Sequence, residues 1–467
     1  MGLLKPGDYW PLSVDNEKRI KRYKENKLLF EGDHVDVFKN VQRQIESIED
    51  IDSADKVAMT YLVCNYCGLL SKLSADMLFG EKPQIKAENK STDDRLQEII
   101  KNNNFYTNSY ESALGNSYRG DSCLKVKYTK RSKYASEREV IIEPQNPEFF
   151  FVEKEENNVR KINRMIIGFT KRVANEKYLQ LEIHEPGTIY NQAYRMTGNV
   201  VSSQVDIKSL DEGLEEGLEE VVKTGVDDFL LVHIPNWRTD TEFWGYSDYL
   251  DIKSLQDECN DRISQISKVL DKHADPNMIG PPDYLNEDEN VNIGDSYFPY
   301  DDESVKPEYM SWDGKLEAAF KEIDYMLKMM FLVTETSPDA FGLDDGNVAD
   351  SGRALKFRLM RLLSKIARKK MYYDKGLKKA LTIAQKLDNE HNRQNYEVEE
   401  PSVDWRDGLP DDPKEKAETT ESLDRASAMS TEEKVRYNHP EWSEQRIQDE
   451  ISRIEAEKAE ERTAPVL

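Results

Sequence analysis

Two amphipathic stretches of matched length, separated by a proline-rich insert, constrain this chain more than any other feature. Between Tyr246 and Ala274 the residues Ile252, Leu255, Cys259, Ile263, Ile266 and Leu270 recur every three or four positions, laying one apolar stripe along a helix. Ser247 and Asp248 supply the start signal, a side-chain oxygen for the orphan N–H groups of the first turn. Asp275-Pro276 supplies the stop, because the residue before a proline is pushed out of the helical region. The second stretch runs from about Lys315 to Thr334, with Leu316, Phe320, Ile323, Leu327, Met330 and Phe331 on one side, and Ser337-Pro338 closes it. Each helix is roughly twenty residues, about 30 Å long. The insert from Asp275 to Asp313 has no helical period and holds five prolines (Pro276, Pro281, Pro282, Pro299, Pro307) among many acids. Inserts of that length between two helices are usually used. The expectation is two helices side by side, holding a small module away from the body.

Around this pair the rest of the chain divides by period. Helices are expected over Asn16–Asn26, Val35–Asp50, Ala54–Leu78, Thr92–Asn102 and Phe105–Tyr118, the third stopped by Phe79-Gly80-Glu81-Lys82-Pro83. From Ser122 to about Arg195 the period falls to two. Strands are expected at Leu124–Tyr128, Val140–Ile142, Phe149–Val152, Met165–Thr170, Tyr178–His184 and Thr188–Arg195, joined by short turns and therefore antiparallel. Residues 197–226 read as an exposed, mobile acidic link, and Phe229–Ile234 as a last strand. After the helix pair, Ser337–Ser351 is an acidic loop. It leads into one long helix from about Gly352 to Leu387, whose basic side includes Arg353, Arg361, Lys365, Lys369 and Lys375. Such a side in an acidic protein faces either an acidic neighbour or a phosphate backbone. Val403 marks one more strand, and helical runs rich in Glu, Lys and Arg fill the chain beyond Asp411.

Hydrophobic residues make up 38% and charged residues 33%, a balance that points to an elongated or multi-lobed subunit, or one that buries surface in an assembly. A net charge of −25 argues against gripping nucleic acid over a broad surface, but not against letting it slide past. The chain has no GxxxxGK[ST], GxGxxG, HExxH or GxSxG, and its six histidines stand singly. No enzyme, metal or cofactor is therefore expected. Cys64 and Cys67 form a lone CxxC, read as two core cysteines on one helix face. Few cysteines, no signal-peptide core and a longest apolar run of only Met329–Val333 fit a soluble intracellular protein. Two other classes stay open at this point. One is a metal-dependent nuclease using Asp344 and Asp345; the other is a helical scaffold or adaptor.

Four stretches in order resemble the portal proteins of tailed double-stranded DNA bacteriophages, of the long-tailed (siphophage) type. They are Leu69 to Pro83 (LLSKLSADMLFGEKP), Gly245-Tyr246-Ser247-Asp248 with the helix that follows, His273-Ala274-Asp275-Pro276, and Ser351-Gly352-Arg353-Ala354-Leu355-Lys356. The resemblance spans roughly residues 55 to 390. It implies an α+β, multi-domain portal fold of wing, stem, clip and crown, with long stem helices and an antiparallel sheet in the wing. The implied division is a wing over 1–245 and 352–408, stem helices over 246–274 and 314–336, a clip over 275–313, a tunnel loop over 337–351 and a crown with C-terminal tail over 409–467. It further implies a homo-oligomeric ring, usually of twelve subunits, at one capsid vertex, through which double-stranded DNA is packaged and later ejected. The implied partners are terminase, head-completion or adaptor proteins, and the major capsid or scaffolding protein, with no membrane; the implied location is the virion, after assembly in the host cytoplasm. Asp339, Asp344, Asp345, Asn347 and Asp350 would line the DNA channel, and Pro281, Pro282, Tyr284, Tyr297 and Tyr300 of the clip would touch terminase or adaptor.

Overall fold

The computed structural model describes residues 2–39, 61–132, 134–173, 175–210, 219–274, 278–280, 297–299, 308–309, 316–343, 352–406, 408, 413–439, 442 and 444–463. The chain forms two compact units, Met1–Leu343 with Arg361–Gly408, and Asp344–Met360 with Leu409–Leu467. It is an α+β protein.

In the first unit, helix α1 (Val14–Glu31) starts where Ser13 Oγ accepts the Asn16 N–H at 3.2 Å, and stops at the left-handed Gly32. Helix α2 covers Tyr66–Phe79. The apolar spacing suggests a start near Ala54, but residues 61–65 are not helical and Asn65 Oδ1 takes the Gly68 N–H at 2.8 Å, so the helix begins at Tyr66. Cys67 is therefore a buried helix residue and Cys64 is not on the helix at all. Strand β1 (Gln84–Lys86), α3 (Lys90–Asn102) and α4 (Phe105–Arg119) follow.

Strands β2 (Asp121–Thr129), β3 (Glu139–Gln145), β4 (Phe150–Glu155), β5 (Asn158–Val173), β6 (Glu176–Glu185), β7 (Thr188–Thr197), β8 (Val200–Val205), β9 (Val221–Lys223) and β10 (Leu231–Pro235) build two antiparallel sheets. One has the order β10-β2-β3; the other runs β4-β5-β6-β7-β8, with β9 also pairing β7. Strands β8 and β9 correct the reading of 197–226 as a link. The acidic run before Val221-Val222 and the polar surroundings of Val200-Val201 hid both strands, whose backbone groups are taken up by β7. Trp10 closes the inner face of the larger sheet over Gly168. A Cβ at Gly168 would stand 2.4 Å from the indole, so only glycine lets the ring lie flat on the strand.

Helix α5 (Lys253–Ala274) and helix α6 (Leu316–Val333) are the expected pair, packed on each other. Between them the described residues form a small sheet. Strand β11 (Met278–Gly280) is central, parallel to β12 (Tyr297–Pro299) and antiparallel to β13 (Glu308–Tyr309). A 3-10 turn (Pro338–Phe341) follows α6. The expected single basic helix is two, α7 (Gly352–Arg358) and α8 (Met360–Asn392), parted at Leu359. Strand β14 (Ser402–Asp404) returns to pair with β1.

A core of Leu29, Phe38, Tyr66, Cys67, Leu70, Tyr118, Tyr249, Ile252, Met330 and Phe331 joins α1, α2 and α4 to the ends of α5 and α6 nearest the body. Each large apolar side chain there contributes about 1.5–3 kcal/mol to holding the helix pair on the body. In the second unit, α9 (Pro413–Arg425), α10 (Thr431–Asn438) and α11 (Glu444–Thr463) bury Val435 and Ile447 and otherwise carry charge. Among the described residues no helix is long and apolar enough to cross a membrane.

Candidate functional site

The helix pair meets the body at a buried polar knot, and glycines make that approach possible. At Gly120, where α4 ends, φ is +98°, and its carbonyl accepts the Asn236 N–H at 2.8 Å. A Cβ on Gly245 would lie 2.0 Å from that same carbonyl oxygen. The two backbones touch there, and the chain then delivers Ser247 and Asp248 into the space beneath α4. Ser247 Oγ donates to the Tyr118 carbonyl at 2.7 Å and accepts the Tyr249 N–H at 3.0 Å.

Asp248 lies five residues before α5 begins and is the centre of the knot, not a helix cap. Its carboxylate accepts from Ser117 Oγ at 2.6 Å and Asn236 Nδ2 at 3.2 Å, and pairs with Lys365 at 3.1 Å and Lys369 at 2.5 Å. Both lysines come from α8, one helical turn apart on its buried side. Lys369 also donates to Ser74 Oγ of α2 at 2.7 Å. Lys365 donates to the Thr334 carbonyl at 2.9 Å, just past the end of α6, where cations are favoured by the helix dipole. One lysine thus holds the start of α5 and the end of α6 together. Tyr66 adds a second tie, its hydroxyl bonded to Thr334 Oγ1 and Thr336 Oγ1, both at 2.8 Å.

Burial alone would raise the Asp248 carboxyl. Lys365 and Lys369 outweigh it and hold the group well below the usual carboxylate range. Burial, reinforced by Lys365 and only partly offset by Asp248, brings the Lys369 ammonium down to about 8. Beside the knot is a cavity of 330 Å³ lined by Trp237, Asp248, Asp251, Glu335, Lys365 and Arg368, with Arg368 paired to Glu335 at 2.5 Å. Its lining carries both cations and carboxylates. This arrangement ties the segment before α5, the end of α6 and helix α8 to one buried ion group.

A family model described as phage portal protein, SPP1 Gp6-like, matches residues 11–464. The chain belongs to that family. Solved structures it is similar to include a chain from the virion of a native gene transfer agent (GTA) particle, 12% identical, with a TM-score of 0.41 over 79% of this chain and 88% of that one. A chain from the neck of a native GTA particle computed with C12 symmetry is 11% identical, with a TM-score of 0.40 and the same coverage. A comparison with curated protein sequences finds no match.

In this portal protein Asp339 sits in the 3-10 turn after α6, where Ser337 Oγ donates to its carboxylate at 2.5 Å. Phe341 of that turn stacks on Phe331 and tilts against Tyr66, each at 5.6 Å, so the turn is fixed to the knot. Tyr297 opens β12 and pairs in register with Met278. Asp344, Asp345, Asn347, Asp350, Pro281, Pro282, Tyr284 and Tyr300 lie outside the described residues. Among the described residues no group of His, Cys, Asp or Glu could hold a metal ion. Sequence reasoning missed Asp248, Lys365 and Lys369 as one unit. The available signal was two lysines four apart among Leu362, Ile366 and Tyr373, on the apolar side of a basic helix.

Proposed function

We propose that this chain is one subunit of a closed ring of twelve, set at a single vertex of a tailed-phage capsid and assembled in the host cytoplasm. Genomic DNA enters the bore under the drive of a separate terminase motor and leaves through it later; the chain itself performs no catalytic step. In this reading α5 and α6 are the stem, residues 275–313 the clip, 337–351 the tunnel loop, 409–467 the crown, and 1–245 with 352–408 the wing. Pro281, Pro282, Tyr284, Tyr297 and Tyr300 of the clip meet terminase first and head-completion or adaptor proteins afterwards. The outer surface meets the major capsid or scaffolding protein. Asp339, Asp344, Asp345, Asn347 and Asp350 face the duplex, where carboxylates repel phosphate over a screening distance of about 8 Å and let DNA slide.

One observation carries the ring. Along α6, Phe320 is 54% exposed, Tyr325 65% and Leu332 63%. Tyr325 and Leu332 are seven residues apart and share a face, while Phe320 points elsewhere. A single uncovered apolar side chain is ordinary; large ones on two flanks of one helix suit a subunit covered by a different neighbour on each side. Light-scattering mass with negative-stain images of the same peak tests this. The expected result is roughly 650 kDa, twelve copies of 54.2 kDa, as rings with a central hole. A monomer that cleaves duplex DNA in Mg²⁺, or a dimer without a hole, would overturn it.

A further inference from the structure

Asn260 of α5 is fully buried, and every hydrogen-bonding position of its side-chain amide is filled. Its Oδ1 accepts the Cys64 N–H at 3.0 Å and Gln256 Nε2 at 2.9 Å; its Nδ2 donates to the Tyr61 hydroxyl at 3.1 Å and to His34 Nδ1 at 2.8 Å. Gln256 Nε2 also donates to the Cys64 carbonyl at 2.6 Å, and Ser264 Oγ takes the Leu62 N–H at 2.9 Å. Three side chains of α5, one turn apart, thus hold the residues ahead of α2. His34 stands in a 3-10 turn (His34–Asp36) after α1. Its ring is fully buried, meets Phe38 edge-on at 5.2 Å, and has Nε2 3.0 Å from the Leu29 carbonyl. A carbonyl can only accept, so the proton is on Nε2 and the Nδ1 lone pair receives Asn260. The ring is neutral, and its tautomer is fixed from both sides.

We propose that His34 is an acid-sensitive latch: its neutral ring locks Asn260 and residues 61–65 onto the first of the paired helices, and a second proton opens that contact. The second proton sets an N–H of His34 against an N–H of Asn260. Turning the Asn260 amide over gives no relief, because its NH2 then faces two donors, the Cys64 N–H and Gln256 Nε2. Burial opposes the second proton, and the Leu29 carbonyl, Asn65 and Asp33 favour it less strongly, so the ring is held below its ordinary value. Above about pH 6.5 the ring is neutral both folded and unfolded and adds no pH dependence. As pH falls through that value the unfolded chain binds the proton first, and stability is lost until the lower folded value is passed. The charge bearing on the ring is that of Asp33, from its own turn. Residues 61–65 bring Tyr61, Cys64 and Asn65 to the network, and α5 brings Asn260 with Asp257 and Asp261, whose charges bear on Tyr61. All of these are shared by the wild type and a His34→Gln variant, so the difference between the two isolates the ring.

The test follows amide hydrogen exchange of the full-length protein at about pH 7.5 and about pH 5.5, each corrected for the intrinsic rate at that pH. Peptides covering residues 61–65 report the latch, and peptides of β6 are the reference. In the wild type, exchange at Leu62 and Cys64 should be about fivefold faster in acid, the opening expected when one buried hydrogen bond is lost, with β6 unchanged. In His34→Gln, whose amide can donate to Leu29 and accept from Asn260 without titrating, the acceleration should vanish. In Asn260→Asp, whose carboxylate receives the second imidazole proton, the response should change sign, with acid slowing exchange at these amides. Equal wild-type protection at both pH values, the same acceleration in His34→Gln, or an acceleration shared by β6 would each overturn the proposal. If His34→Gln does not fold, Asn260→Asp decides alone, and faster exchange in acid there overturns it. The latch lies within one subunit, so failure of ring assembly would not imitate any of these results.

Discussion

Replacing Asp248 with asparagine removes the one carboxylate that Lys365 and Lys369 share, with little change in shape. Lys369 is 3% exposed at its side chain, so water does not screen the loss. Bringing that ammonium from 10.5 down to about 8 leaves roughly 3 kcal/mol of its burial uncompensated even with Asp248 in place. Without Asp248 it sheds its proton at neutral pH, and that escape caps its whole penalty near 5 kcal/mol. Lys365 keeps the Thr334 carbonyl but loses its carboxylate. Together with the orphaned Ser117 hydroxyl, the expected destabilisation is about 3–5 kcal/mol at pH 7, or roughly 3–6 °C in Tm for a unit of this size. The pH dependence separates this account from a packing effect. Folded Lys369 titrates below its unfolded value, so its charged form costs stability at neutral pH, and that cost fades as pH rises from about 8 to 10.5. The Asp248→Asn deficit should therefore shrink between pH 7 and pH 10. Below about pH 4 the wild type should lose more stability than the variant, because its Asp248 carboxyl is held under its unfolded value and the unfolded chain takes up that proton first, while Glu182 and Asp388 act alike in both. Thermal melts of both proteins across that range are the assay. A deficit below about 1 kcal/mol at pH 7, or one that is constant with pH, would refute the reasoning.

Gly245→Ala should lower Tm by at least as much as a core overpacking of about 1–3 kcal/mol, since the new methyl meets the Gly120 backbone carbonyl and not a movable side chain. Tyr66→Phe should cost only about 1 kcal/mol by urea titration, because Thr334 and Thr336 remain bonded to each other at 2.9 Å. Tyr325→Glu with Leu332→Glu should leave the melting of the isolated chain within about 0.5 kcal/mol, yet abolish the high-mass species in light scattering. Serine at Asp339, Asp344, Asp345 and Asp350 should leave assembly intact and reduce DNA packaging or retention. Unchanged packaging would remove those residues from the channel.

What was legible in the sequence follows from where the determining contacts lie. The ends of the helix pair rest on local chemistry, and the observed Lys253–Ala274 and Leu316–Val333 fall inside the expected stretches. The strands from Leu124 to Arg195 announced themselves by alternation, because one face of each packs on a core and turns a few residues long set the register. Strands β8 and β9 did not. Runs of three and six residues are too short to show a period of their own, and their pairing is decided by the backbone of β7. The knot failed to show for a related reason. Asp248 at the head of an apolar run satisfies every local criterion for a helix cap, and two lysines on a basic helix satisfy every criterion for a solvated face. Only the fold, which brings Asp248 and Lys369 together across a sequence separation of 121, turns them into one buried group. A cap and a solvated face each contribute under about 1 kcal/mol, whereas breaking a shared buried ion group costs several times that. The residues that tie both helices to the body are therefore the ones whose local signals understate them most.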